Sequence, residues 1–151
     1  MSREELDRLE GLICCQTFHL EHVPAGLPAN LSDTTQKHPL IYLAGALWEL
    51  DPMANAHHMM KIWDGLRSLG IASFCPHWAL FQHVAAPRTR REWLAFDLAV
   101  LDHCDAVLRC DGTSGGADLA VERAVELGLP VFRSLTDLLV GHQSLRQAEP
   151  T

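Results

Sequence analysis

The stretch DAVLRCDGTSGGADLAVERAVELGLPVFRSL, residues 105–135, decides the fold. Its first six residues, DAVLRC (105–110), are a short, mostly apolar and β-prone run, as in a strand buried on both faces of a sheet. DGTSGG (111–116) follows with three glycines and no apolar residue, which marks a tight turn. From about Ala117 to Leu127 helix formers dominate, and Gly128 stands where a helix-ending glycine belongs. PVFRSL (130–135) is again a strand, and Thr136 is placed to cap a last short helix. A strand, turn, helix and strand in that order form a parallel crossover unit, since parallel strands need a covering segment of about a dozen or more residues between them.

The alternation extends upstream. LIYLA (40–44), closed by Gly45, reads as a first buried strand. Residues 53–69 carry Met59, Ile62, Trp63, Leu66 and Leu69 at helical spacing and stop at Gly70. IASFC (71–75) is the second strand, ended by Pro76, and HWALFQHVAAPR (77–88) reads as a loop long enough to be functional. Thr89 and Glu92 then make a capping box for a helix whose inner face carries Trp93, Phe96, Val100, Leu101 and Cys104. A β-α-β-α-β-α-β order predicts a parallel α/β sheet with helices on both faces. Right-handed crossovers leave few topologies, and the doubly wound order 2-1-3-4, flavodoxin-like or Rossmann-like, is the one expected.

Composition bounds the partners. The chain has 151 residues, enough for one domain, and 48% of them are apolar, enough for a core. Acidic residues outnumber basic ones 19 to 12, for a formal charge of −7. That argues against a nucleic acid or an anionic membrane as partner, since both select for a cationic surplus. No apolar run is long enough to span a bilayer, and MSREELDRLEGL is polar where a signal peptide would be greasy. Five cysteines without framework spacing point to reduced thiols and a cytoplasmic protein. Residues 1–38 read as an N-terminal arm: a short amphipathic helix over 2–13 (Leu6, Leu9, Leu12, Ile13), then an irregular connection. Residues 39–145 form the α/β domain, and 146–151 a tail. The spacing of Cys14, Cys15, His19 and His22 fits no structural zinc site, and the pairs His57, His58 and His77, His83 lack a helical ligand spacing. No metal and no cofactor are expected.

In a doubly wound sheet ligands sit beyond the carboxyl ends of the strands at the switch point, here Ala44–Gly45 and Cys110–Gly116. Gly112, Gly115 and Gly116 let a ligand approach the backbone, and the helix start with the Ser114 hydroxyl favours an anion. The same glycines also suit a plain strand-to-helix turn, and both readings stand. Asp97, between Phe96 and Leu98, is either a carboxylate at the sheet edge, fit for acid–base work or for holding a sugar hydroxyl, or part of a solvated helix face. His77 and Trp78 follow the second strand and suit either stacking on a flat base or the packing of a lid.

Four segments together resemble the nucleoside 2-deoxyribosyltransferase-like superfamily: IYLAG (41–45), PHW (76–78), W-x-x-x-D-x-x-x-L-x-x-C-D-A-V (93–107) and S-G-G-A-D-L-A-V-E-R-A-V-E-L-G-L-P-V (114–131). That superfamily includes deoxyribosyltransferases and nucleoside 5′-monophosphate N-glycosidases. The resemblance spans about residues 40–135. It implies that Tyr42, Ala44 and Gly45 line a sugar pocket and that Asp97 assists at the sugar and leaving base. It further implies that Ser114 and Gly116 hold a 5′-phosphate, with Trp93 among the ligand-lining residues. Ser114, where deoxyribosyltransferases tend to carry an acidic residue, tilts the ligand toward a nucleotide. Homodimers or larger homo-oligomers are the implied assembly.

One position departs from that pattern. The superfamily's nucleophilic glutamate stands six residues after the serine and eight before the helix-ending glycine, and both counts fall on Ala120. A methyl group forms no glycosyl-enzyme ester. Glu122 lies roughly 200° further around the helix, and Asp118, in the first turn, is the weak substitute. Two functions are therefore expected side by side. One is N-glycosidic bond cleavage or transfer on a nucleoside or nucleoside 5′-monophosphate. The other is non-catalytic nucleotide binding or sensing, with an oligomerising, partner-docking domain as a third possibility.

Overall fold

A computed structural model describes residues 38–147 of the chain. The expected N-terminal helix and nearly all of the arm lie outside the described residues. In chain order the elements are β1 (Ile41–Ala44), α1 (Pro52–Ser68), β2 (Ser73–Phe74), a 3-10 turn (Pro76–Trp78) and α2 (Ala79–Ala85). They continue with α3 (Arg90–Leu101), β3 (Ala106–Arg109), α4 (Gly115–Glu126), β4 (Val131–Phe132) and α5 (Leu135–Gln147). All strand pairings are parallel and the order is β2-β1-β3-β4, the doubly wound α/β arrangement.

The sheet separates two cores because alternate strand residues point to opposite faces. Ile41 and Leu43 pack with Ala106 and Leu108 against Met59 and Leu66 of α1 and Leu138 and Leu139 of α5. Tyr42, Ala44 and Val107 pack on the other side against Leu101 of α3 and Ala117, Ala120 and Ala124 of α4. Helices thus cover both faces. Among the described residues no helix is long and apolar enough to cross a membrane.

Helix starts follow local chemistry. Asp51 accepts from the N–H groups of Met53 and Ala54, and Ser114 from that of Ala117. The Thr89–Glu92 capping box is present, and its hydrogen bonds hold the Glu92 carboxyl below its usual range. The cap of α5 is Ser134, whose Oγ accepts from Asp137 N–H at 3.1 Å. Thr136, expected in that role, lies inside the helix, which is also longer than expected. The 77–88 segment is not one loop: Pro76 opens a 3-10 turn and Ala79–Ala85 forms a short helix. Phe81 and Val84 of that helix are exposed, so no buried stripe marks it in the sequence. Phe96 is also exposed rather than inward. On its inner side α3 presents Leu98 and the expected Leu101, and the expected Cys104 follows into the same core.

Candidate functional site

A cleft of about 380 Å³ opens at the carboxyl ends of β1 and β3. Tyr42, Ala44 and Gly45 line it from β1, Trp93 and Asp97 from α3, His77 from the turn after β2, and Ser114, Gly115 and Gly116 from the start of α4. The helix-start side is built to leave room. Ser114 is buried and its Oγ accepts the Ala117 N–H at 3.2 Å, while Gly115 and Gly116 sit where first-turn N–H groups have no intrahelical partner. A Cβ added to either glycine would meet nothing closer than 3.9 Å, so protein does not fill the space before the helix. Gly45 differs, since a Cβ there would come within 2.6 Å of the Met59 sulfur. Gly112 stands off the cleft and serves the turn with a φ of +108°.

Asp97 brings a half-buried carboxylate to the cleft. Burial pushes its pKa up to about 7, and no neighbouring charge or hydrogen bond offsets that push. The adjacent Tyr42 hydroxyl is pushed higher still, first by burial and then by Asp97, and stays a neutral phenol. His77 lines the cleft, yet both ring nitrogens are engaged. Nε2 lies 2.8 Å from the Ala46 carbonyl, which only accepts, so Nε2 carries the proton. Nδ1 is 3.7 Å from the Cys75 sulfur. Burial lowers the His77 pKa and pushes the Cys75 thiol up to about 12. His77 is therefore a neutral tie between the turn after β2 and the loop after β1.

Trp78, for which stacking on a flat base and packing of a lid were both open, does not line the cleft: it is 45% exposed and meets Trp63 edge-on at 5.9 Å. Asp118 points to Arg109 of β3, at 3.0 Å, rather than into the cleft. Arg109 also donates to the carbonyls of Cys110 and Gly112 and so holds the turn. Ala120 is 1% exposed, packed among Tyr42, Leu101 and Val107.

Trp48 and Glu49, from the loop after β1, are cleft residues that the sequence reading did not name. Trp48 and Trp93 flank His83, with Trp48 edge-on at 5.3 Å and the Trp93 indole N–H donating to His83 Nδ1 at 3.0 Å. Glu49, Arg90 and Arg91 complete the rim, and Arg90 bridges to Glu49 at 2.8 Å. A cue for Trp48 was present: it follows Gly45 by three residues, in the loop leaving the central strand. Among the described residues no group of three or more His, Cys, Asp or Glu side chains converges as a metal site. Comparison of the chain with protein-family models, with curated proteins and with solved structures finds no match. The functional reading rests on the cleft itself.

Proposed function

We propose that the cleft binds a nucleoside 5′-monophosphate. The observation that carries this reading is the convergence, in one cleft, of an unfilled helix start, two arginines, an aromatic wall and the Asp97 carboxylate. The phosphate sits at Ser114–Gly116, where N–H groups and helix dipole favour an anion, with Arg90 and Arg91 supplying positive charge in an otherwise acidic protein. The base lies along Trp48 and Trp93, and Asp97 faces the sugar. The resemblance of residues 41–45, 93–107 and 114–131 to the deoxyribosyltransferase-like superfamily points the same way. The free, buried Cys75 and Cys104 fit a cytoplasmic setting, and the reading includes a homo-oligomer, which light scattering on an eluting peak checks.

Titration calorimetry with nucleoside 5′-monophosphates, the matching nucleosides and inorganic phosphate tests the reading. Monophosphates should bind at least about tenfold tighter than nucleosides, consistent with charge-assisted hydrogen bonds to the phosphate. Absence of binding across the panel sinks it.

A second reading, N-glycosidic bond hydrolysis, is favoured by Asp97 alone. A carboxyl titrating at about 7 is matched to proton donation near neutrality. It would protonate the departing base as the C–N bond breaks, and the water that adds to the anomeric carbon would return its proton to the Asp97 carboxylate. The superfamily's covalent route is not available to the Ala120 methyl group, and Asp118 is engaged by Arg109. Chromatographic detection of free base after incubation with the monophosphates decides between binding alone and hydrolysis.

A further inference from the structure

Glu49 lines the cleft with one carboxylate oxygen engaged and the other not. Its Oε1 holds the Arg90 guanidinium at 2.8 Å, while its Oε2 is cut off from solvent and has no hydrogen-bond partner. A charged acceptor left without a donor is costly, and folded proteins rarely keep one. The loop is held against relaxing. Asn55 Nδ2 donates to the carbonyls of Leu47 and Glu49 at 3.2 and 2.6 Å, and His77 holds that of Ala46. Leu50 follows with a φ of 58° and is fully exposed, so it gains neither from backbone preference nor from burial. What this constrained loop delivers is Trp48 and Glu49 to the cleft wall.

The Arg90 side of the ion pair is the weak side. Arg90 is 63% exposed, and exposed pairs are readily exchanged for another partner. Its guanidinium lines the same cleft as the α4 start, where an entering anion competes with Glu49 for it. Once Arg90 turns to that anion, the Glu49 carboxylate has two oxygens in need of donors. Two adjacent hydroxyls match a carboxylate's two oxygens.

We propose that Glu49 is a sugar-recognition residue that accepts hydrogen bonds from the vicinal 2′- and 3′-hydroxyls of a ribonucleotide, with Arg90 passing from Glu49 to the ligand's phosphate. The inference rests on the nucleotide reading of the cleft and narrows it to ribose.

Titration calorimetry of the full chain with the four common ribonucleoside 5′-monophosphates and their 2′-deoxy counterparts tests it. The ribose form that binds should do so about tenfold or more tighter than its deoxy counterpart, as expected for a hydrogen bond to a charged group. Glu49→Ala should bring the two within about twofold, since the hydroxyl then has no charged acceptor. Arg90→Ala should keep the ribose preference, weaken monophosphate binding and strengthen binding of the phosphate-free ribonucleoside. Equal affinity for ribose and deoxyribose forms, or a preference that survives Glu49→Ala, overturns the inference while the nucleotide reading stands. Should Glu49→Ala fail to fold, Arg90→Ala decides: loss of the ribose preference, or no gain for the ribonucleoside, overturns it. If no nucleotide binds the unmodified protein, the nucleotide reading falls and this inference with it.

Discussion

Arg109 on β3 holds Asp118 of α4 at 3.0 Å, and the same guanidinium donates to the carbonyls of Cys110 and Gly112. The side chain thus ties the end of a strand, the turn after it and the helix that follows. The two halves of this arrangement differ in weight. Asp118 is 62% exposed, whereas Arg109 is 12% exposed and reaches two carbonyls of the turn as well.

Asp118→Asn should therefore change stability by less than about 1 kcal/mol, the range of exposed ion pairs, and leave nucleotide affinity intact. Arg109→Ala should lower the denaturation midpoint clearly and weaken nucleotide binding, because the turn leading to Ser114 loses its donor. Chemical denaturation and calorimetry on the two variants check this. A large effect of Asp118→Asn on binding would return that residue to the site.

Asp97 makes stability depend on pH. Its carboxyl ionises near 3.8 in the unfolded chain and, through burial, at about 7 in the folded one. Between these values the folded state binds more protons, so the contribution is full below 3.8 and is lost as pH rises through about 7. Urea titrations from pH 4 to 8 should show this decline in the unmodified protein and its absence in Asp97→Asn. If the protein releases free base, the rate should also fall above about pH 7 and vanish in that variant.

Placing a glutamate at Ala120 should not give the cleft glycosidase chemistry. The position is enclosed by Tyr42, Leu101, Cys104 and Val107, with no cation among them. Burying a carboxylate there should cost at least about 2 kcal/mol, the scale for a polar group buried without a partner. Denaturation of Ala120→Glu and an assay for released base test both halves. A stable variant that gains base release would show that the longer side chain reaches the cleft.

Gly45 is required by proximity, not by backbone angle. A Cβ would press on the Met59 sulfur at 2.6 Å inside the core, so Gly45→Ala should cost about 1–3 kcal/mol as overpacking. Shortening the opposing side chain should relieve it. In a double-mutant cycle with Met59→Ala the two losses should fall short of additivity by more than about 0.5 kcal/mol. Strict additivity would place the strain elsewhere.

The fold was legible because the segments that make it are periodic. LIYLA, IASFC and DAVLRC are apolar runs between turn signals, and the strand order followed from crossover handedness. The misses fall where periodicity carries no information. α2 turns Phe81 and Val84 to solvent, so its helix leaves no stripe. Phe96 and Leu98 compete for the inner face of α3 at almost the same spacing, and packing on the sheet, not pattern, selects Leu98.

The site divides along similar lines. Ser114–Gly116 were identifiable as cleft residues because they stand at a helix start that the topology brings to the sheet edge, and Tyr42 and Asp97 because they fall in the segments that carry the resemblance. Glu49 was not, since its partner Arg90 is 41 residues away and only the folded loop joins them. His77 and Trp78 are neighbours in sequence, yet the 3-10 turn sends one inward and the other outward.

The alanine face of α4 sets where the cleft is able to adapt. Ala117, Ala120 and Ala124 have no rotamers to change, and the helix rests on Tyr42, Ala44 and Val107 without slack. The helix-start end of the cleft is thus an anvil, fixed before anything binds. All adjustment to a ligand's size falls on the opposite rim, where Glu49, Arg90 and Arg91 have many torsions each. Substitutions within 46–49 and 90–93 are the ones that would retune which molecule is held, whereas enlarging any of the three alanines would shift the anvil and blunt the site for every ligand at once.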